Sequence, residues 1–129
     1  MSEIIATQPW IGNQTAMLPA EVRDLCYQAA GRRLVDRVDL TLEAGTVSVV
    51  MGANGAGKSL LLRLLHGMIT PTGGAVTWGG HALSEAVRRR QAMVFQRPIL
   101  LRRSVAANVR FALKLRGRAK DGRCERLLA

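Results

Sequence analysis

Acidic residues are scarce in this chain: nine Asp and Glu stand against nineteen Lys and Arg in 129 residues, a formal net charge of +10. Aromatic residues are scarcer still, at 4%. The two cysteines, Cys26 and Cys124, lie far apart with no C-x-x-C spacing. That pattern reads as reduced thiols, buried or incidental, in a cytosolic protein. No apolar run is long enough to span a bilayer, because the leucine-rich stretch is broken by Arg63 and ends at Gly67. The N-terminus has no basic region followed by an apolar one, so no signal peptide is expected.

The charge is unevenly placed. Residues 1–87 carry six Lys/Arg against seven Asp/Glu, whereas residues 88–129 carry thirteen against two. A basic half of this kind suits nucleic acid or anionic lipid. The lack of aromatics argues against the first, since Phe95 and Phe111 are its only ones and form no base-stacking surface. The plainer reading is a solvated basic face. A non-catalytic nucleic-acid-binding module stays as the alternative.

What is present is enough for a core. Apolar residues make up 48% of the chain, an ordinary share for a folded protein, and the length allows one domain at most. The chemistry lies in Gly52-Ala53-Asn54-Gly55-Ala56-Gly57-Lys58-Ser59, which fits G-x-x-x-x-G-K-[ST]. Phosphate needs several donors converging on a small volume, and backbone N–H groups supply them only where glycine lets the chain approach closely. Lys58 adds a point charge for the β- and γ-phosphates, and the Ser59 hydroxyl can ligate Mg²⁺. A chance match in a chain of this length has a probability on the order of 1 in 200. Context strengthens the motif: Thr46 to Met51 reads as a buried strand before it. Leu60 to Leu65 reads as a helix after it, closed by Gly67 and aiming its positive end at the phosphates.

Around this centre the pattern predicts an irregular tail over 1–19, in which Trp10 and Ile11 dock at an unspecified place. It then predicts strands at Val22–Tyr27 and Leu34–Leu42, the second with Leu34, Val38, Leu40 and Leu42 facing inward. A short strand follows at Ala75–Trp78 and a helical turn from Ser84, its N-cap, to Arg90. Gln91–Phe95 reads as a further strand ending at Gln96 and broken by Arg97-Pro98. Ser104 caps a helix over Val105–Leu115 with Val105, Val109, Ala112 and Leu113 as its apolar face. Beyond Gly117 the pattern decays into a basic segment, with a helix beginning near Cys124.

The order GRRLVDRVDLTLEAGTVSVVMGANGAGKSLLLRLLHGMITPTGGAVTWGG, then AMVFQRPILLRRSVAANV, resembles the N-terminal half of an ABC-transporter ATP-binding subunit over roughly residues 20–115. The resemblance implies an α/β fold, a P-loop NTPase core with an N-terminal antiparallel β layer. Residues 20–103 would form the ATP-binding core and 104–129 the start of a helical subdomain. It implies ATP and Mg²⁺ as cofactors, with Gly52 to Leu60 around the phosphates. Gln96 would be the glutamine that helps hold Mg²⁺ and senses the γ-phosphate. Arg97 to Arg103 would face a transmembrane permease subunit, and a second copy of the ATPase would complete the assembly on the inner face of the membrane. Within the family the sequence is most similar to ATPases of tungstate, molybdate or phosphate-type importers.

The departures carry expectations too. Leu60 stands where the family has a second hydroxyl residue, so one phosphate contact is lost. Gap-free counting puts Ala29 at the family's adenine-stacking aromatic, with Tyr27 two residues upstream. Tyr27 serves either through a shifted loop or as a structural strand tyrosine. His66 and His81 read as ordinary surface or turn residues. No LSGGQ-like signature occurs, since Leu83-Ser84 is followed by Glu85, and no apolar strand ends in Asp-Glu. With no general base and no signature, the sequence reads as a portion cut before both motifs, a nucleotide binder without catalytic residues of its own. Another phosphate-loop enzyme fits poorly, as no N-K-x-D guanine reader is present.

Overall fold

The computed structural model describes residues 4–9, 17–97, 99–115, 117 and 123–128. Its contacts divide the chain into two compact units, residues 1–93 and 94–129. This boundary falls ten residues before the division expected at 103, so Gln96 belongs with the second unit.

The first unit holds two antiparallel sheets. In one, β1 (Ile4–Pro9) pairs with β4 (Thr46–Val50); in the other the order is β3 (Arg32–Leu42), β2 (Ala20–Ala29), β5 (Gly73–Trp78), β6 (His81–Ala82). The strand Ile4–Pro9 corrects the irregular tail expected over 1–19. The backbone of β4 offers an open row of donors and acceptors, and the chain segment at 4–9 fills it, Ile4 opposite Val50 and Pro9 opposite Thr46. Trp10 and Ile11 lie outside the described residues, as do Pro98 and most of the basic stretch after Gly117.

The central hairpin, β2 with β3, shows why a simple alternation misreads it. Val22 pairs with Leu40 and Leu25 with Val38, so β2 carries one extra residue, at Asp24 with φ 48°. Tyr27 pairs with Val35, so β3 carries its own extra residue, at Arg37 with φ 43°. Each bulge reverses which side of the pleat the following residues face. Ala20 and Val22 are buried before the first bulge and Leu25 after it. On β3, Val38, Leu40 and Leu42 are half-buried as expected. Leu34 is turned out at 44% exposure, and Val35 is buried in its place. The Asp39 carboxylate holds the first bulge by accepting from the Asp24 N–H at 2.7 Å. The Cys26 sulfur accepts from the Arg37 N–H at 3.3 Å at the second.

Helix α1 (Lys58–His66) lies against this sheet through Leu61, Leu64 and Leu65, which join Val22, Leu25, Val35 and Val76 in the core. Gly67 ends it in a left-handed conformation, its N–H on Leu64 O and the Met68 N–H on Arg63 O. This is the Schellman arrangement that satisfies the last carbonyls. The Trp78 indole N–H donates to Leu65 O at 3.0 Å, fastening β5 to the same end. Helix α2 (Glu85–Arg89) is capped by Ser84, whose Oγ accepts from Val87 N–H at 3.3 Å. Arg88 extends from it to donate to Gly67 O at 3.1 Å. Hydrogen bonds from Arg89 and then Arg88 hold the Glu85 carboxyl below its ordinary pKa.

Gln91–Phe95 forms no strand, which corrects that expectation. The Gln91 N–H is used on Arg88 O, closing the turn after α2, and the stretch pairs with no strand among the described residues. An apolar segment becomes a strand only where a ladder receives it. In the second unit, helix α3 (Val105–Leu115) is capped by Ser104, Oγ accepting from Ala107 N–H at 3.2 Å, and packs with the short helix α4 (Arg123–Leu128). Its expected apolar face is only partly covered. Val109 and Leu113 are half-buried, whereas Ala112 is exposed and Val105 is 72% exposed.

Gly74 locks the β2 bulge. Its φ is +77°, and a Cβ there would run into the carbonyl groups of Asp24 and Arg23. Gly31, at φ +71°, has nothing within 4 Å. Gly31→Ala should therefore cost about 1–2 kcal/mol, the left-handed penalty alone. Gly74→Ala should cost more, because backbone has to move as well. Urea denaturation of the two variants checks this, and equal midpoints would contradict it.

Candidate phosphate-binding loop

Between β4 and α1 the chain crosses residues 51–57, and the glycines there do what the sequence required of them. Gly52, Gly55 and Gly57 have φ values of 153°, 84° and 89°. These are conformations that side-chain-bearing residues seldom take. Ala56 N–H closes a turn on Ala53 O at 3.2 Å. Gly57 then begins the helix from a left-handed conformation, and its carbonyl receives the Leu61 N–H at 2.8 Å. No side chain caps this end and no acidic residue occupies the first turn. The first N–H groups of a helix have no intrahelical acceptor, so the end is positive and its donors point outward.

The loop is anchored as well as bent. A Cβ at Gly57 would sit 3.1 Å from the Leu34 carbonyl oxygen, so the loop's last residue packs on the backbone of β3. At Gly55 a Cβ would meet nothing within 4 Å, which leaves that side of the loop open. The Lys58 ammonium donates to Gly52 O and to Ala53 O, both at 2.7 Å. It therefore ties the loop's entry to the start of the helix. An ammonium has three donors, so one remains for an anion beside the helix end. Ser59 is exposed on the same first turn. The donor set, positive charge, outward N–H groups and no acidic side chain, fits a phosphate chain.

Most of the expected set meets here: Gly52, Ala53, Asn54, Gly55, Ala56, Gly57, Lys58 and Ser59 form one continuous loop and helix start. Leu60 follows on the helix, but its side chain is half-buried against the core. Tyr27 lies near the C-terminal end of β2 opposite Val35, and its ring also packs against the core. Gln96 is exposed at a bend in the second unit. His66 ends α1 half-buried, with its Nδ1 buried and without a hydrogen-bond partner among the described residues, and His81 is exposed in β6. Among the described residues no cluster of His, Cys, Asp or Glu could hold a metal. No described helix is long and apolar enough to cross a membrane. An apolar cavity of about 240 Å³ lies between β3, β4 and α1, lined by Leu40, Leu42, Val50, Leu62 and Leu65 among others, and none of the loop residues lines it. Two residues absent from the expected site shape its support. Leu34 O is a backbone contact without a sequence signature, and Asp39 looks like any solvent-facing strand residue.

Strand, glycine loop, lysine and uncapped helix end define a P-loop nucleotide-binding protein. More narrowly, residues 35–129 match the ABC transporter family, and the chain belongs to it. It is 43% identical over 100 residues to the methionine import ATP-binding protein MetN of Caulobacter vibrioides, covering 71% of this chain and 30% of that protein. Identity to the tungstate uptake system ATP-binding protein TupC of Peptoclostridium acidaminophilum is 40% over 100 residues, covering 78% and 46%. To the hemin import ATP-binding protein HmuV of Rhodopseudomonas palustris it is 49% over 74 residues, covering 54% and 28%. The chain thus spans less than half the length of these relatives. A solved ATP-binding subunit of an ABC transporter shares the fold, with a TM-score of 0.64 and 24% identity over 81% of this chain and 45% of that one.

The contact between Gly57 and Leu34 O yields a test of the loop. Gly57→Ala should lower affinity for inorganic tripolyphosphate by about tenfold, the loop having to shift by tenths of an ångström. Gly55→Ala, which adds strain but no contact, should lower it less. Equilibrium dialysis gives the comparison, and equal losses would mean that the β3 contact does not shape the loop.

Proposed function

We propose that this chain supplies the phosphate-binding part of an ATP-binding subunit that energises an ABC importer. The observation that carries the reading is the anchored loop of Gly52–Ser59, with Lys58 held at its mouth by two carbonyl bonds. The third Lys58 donor and the first-turn N–H groups bind the β- and γ-phosphates, and the Leu60 N–H is one of these donors. The Ser59 hydroxyl and the Gln96 amide oxygen are the groups that would hold Mg²⁺, which neutralises charge between the phosphates when bound. Tyr27 is assigned to the strand rather than to adenine, because its half-buried ring supports that alternative.

The names of the relatives support the importing role: methionine, tungstate and hemin are each imported by systems containing a similar protein. These solutes share little chemistry, so an oxyanion has no special support among them, and the solute is assigned to other subunits. The segment Arg97–Arg103 presents Ile99 at 93% and Leu100 at 75% exposure beside three arginines. Exposed apolar side chains of this kind call for a covering protein surface. We assign it to the permease, which would hold the chain at the inner face of the membrane, with a second ATPase copy completing the nucleotide site.

Three outcomes follow. Lys58→Ala should weaken Mg-ATP binding by about tenfold or more, equivalent to roughly 1.4 kcal/mol, by isothermal titration calorimetry. Unchanged affinity would remove the site. Chelating magnesium should weaken ATP binding to the unaltered chain and matter less to Ser59→Ala. The 129-residue chain should release ADP no faster than buffer, since its sequence has no apolar strand ending in an Asp-Glu pair to polarise water. Measurable turnover lost in Lys58→Ala would contradict that.

A further inference from the structure

The exposed segment before α3 is held by one side chain. Asn108, on the first turn of that helix, accepts from the Leu101 N–H through Oδ1 at 3.0 Å. Its Nδ2 lies within hydrogen-bond reach of three carbonyl oxygens, Leu101 at 3.1 Å, Arg103 at 3.2 Å and Ser104 at 3.1 Å. Leu101 O also accepts from Arg103 N–H at 2.7 Å, a tight local turn. The segment thus has its backbone polar groups gathered onto one amide. Its side chains point elsewhere: Leu101 is 39% exposed, Leu100 75% and Ile99 93%. Arg103 places its guanidinium 5.0 Å from the Phe111 ring centroid, a second tie to α3 one turn further on.

Apolar burial does not hold this arrangement, since no residue of α3 is fully buried. A short loop with exposed leucines and no core beneath it would otherwise sample many conformations. Only an amide side chain can do what Asn108 does. It presents an acceptor and two donors at once, whereas a carboxylate lacks the donors, an ammonium the acceptor and a hydroxyl the second donor.

We infer that Asn108 is a positioning residue that makes the segment Leu101–Ser104 one rigid piece with α3, so that displacement of Ile99 and Leu100 is delivered to the helix rather than lost in the loop. The role rests on the reading above that this segment meets a partner. The clamp itself is a property of the second unit and is measurable without one.

The test is amide hydrogen exchange on the full 129-residue chain and its Asn108→Ala and Asn108→Asp variants. Both should speed exchange at Leu101–Ser104 by about tenfold or more while the amides from Val109 onward keep their protection. The aspartate variant keeps the volume and the acceptor, removes the donors and turns a charged oxygen toward the three carbonyls. Retained protection at Leu101–Ser104 in both variants would show that the segment is held without the amide and overturn the inference. Equal loss of protection along all of α3 would also overturn it, since the residue would then hold the helix and not the segment. Mg-ATP affinity should match that of the unaltered chain in both variants. If the unaltered chain binds no Mg-ATP, the proposed function fails, whereas the exchange pattern still decides the clamp.

Discussion

The constraint on which the rest depends is the meeting of Gly57 with the backbone of β3. There the chain turns left-handed to start α1, so close to the Leu34 carbonyl that a Cβ would lie 3.1 Å from the oxygen. Phosphate recognition by backbone N–H groups needs a loop whose shape is fixed before the anion arrives, because the donors are worth little if they must be ordered on binding. A loop of glycines has no side chains with which to order itself. Here its end is set by packing on the sheet, its entry by the Lys58 bridge to Gly52 and Ala53, and its helix by burial of Leu61, Leu64 and Leu65. Rigidity is thus imported from the sheet and the core.

That dependence gives the bulged hairpin its purpose. Without the extra residue at Arg37, Val35 would face outward and Leu34 inward, and the strand would offer the core and the loop opposite sides of its pleat. The bulges at Asp24 and Arg37, two of the three register shifts in this hairpin, form with the Asp39 carboxylate on Asp24 N–H and the close fit of Gly74 one device for setting phase. The same burial that stabilises the sheet places a carbonyl where a Cβ would fit only after a shift of tenths of an ångström.

The second unit is built on a different principle. Its helices leave Val105, Leu115 and Leu127 largely exposed, at 72%, 73% and 66%. Polar contacts do the ordering instead, through the Ser104 cap, the Asn108 amide and the arginine on Phe111. Apolar surface kept out of the core suits a region that meets another protein, whereas the phosphate loop has to be preformed on a rigid base.

The sequence by itself determined the loop and its place between a strand and a helix. The spacing of three glycines, Lys58 and Ser59, an apolar strand before and leucines at helical spacing after are local properties, and local properties are written along the chain. The Gly67 stop and the Ser84 and Ser104 caps were legible for the same reason, each acting within about one helical turn. What only the tertiary structure decided involves residues far apart in the chain. Ile4–Pro9 became a strand because β4 offered it an edge, whereas Gln91–Phe95 pairs with no strand among the described residues. Leu34 and Val35 exchanged sides because register shifts on both sides of Val35 altered the pairing with β2. Asn108 became a hub because the segment before it folded back onto the helix. A ladder, a bulge and a side chain spanning seven residues are each fixed by a partner's position, and a partner's position is the one quantity that a local pattern does not contain.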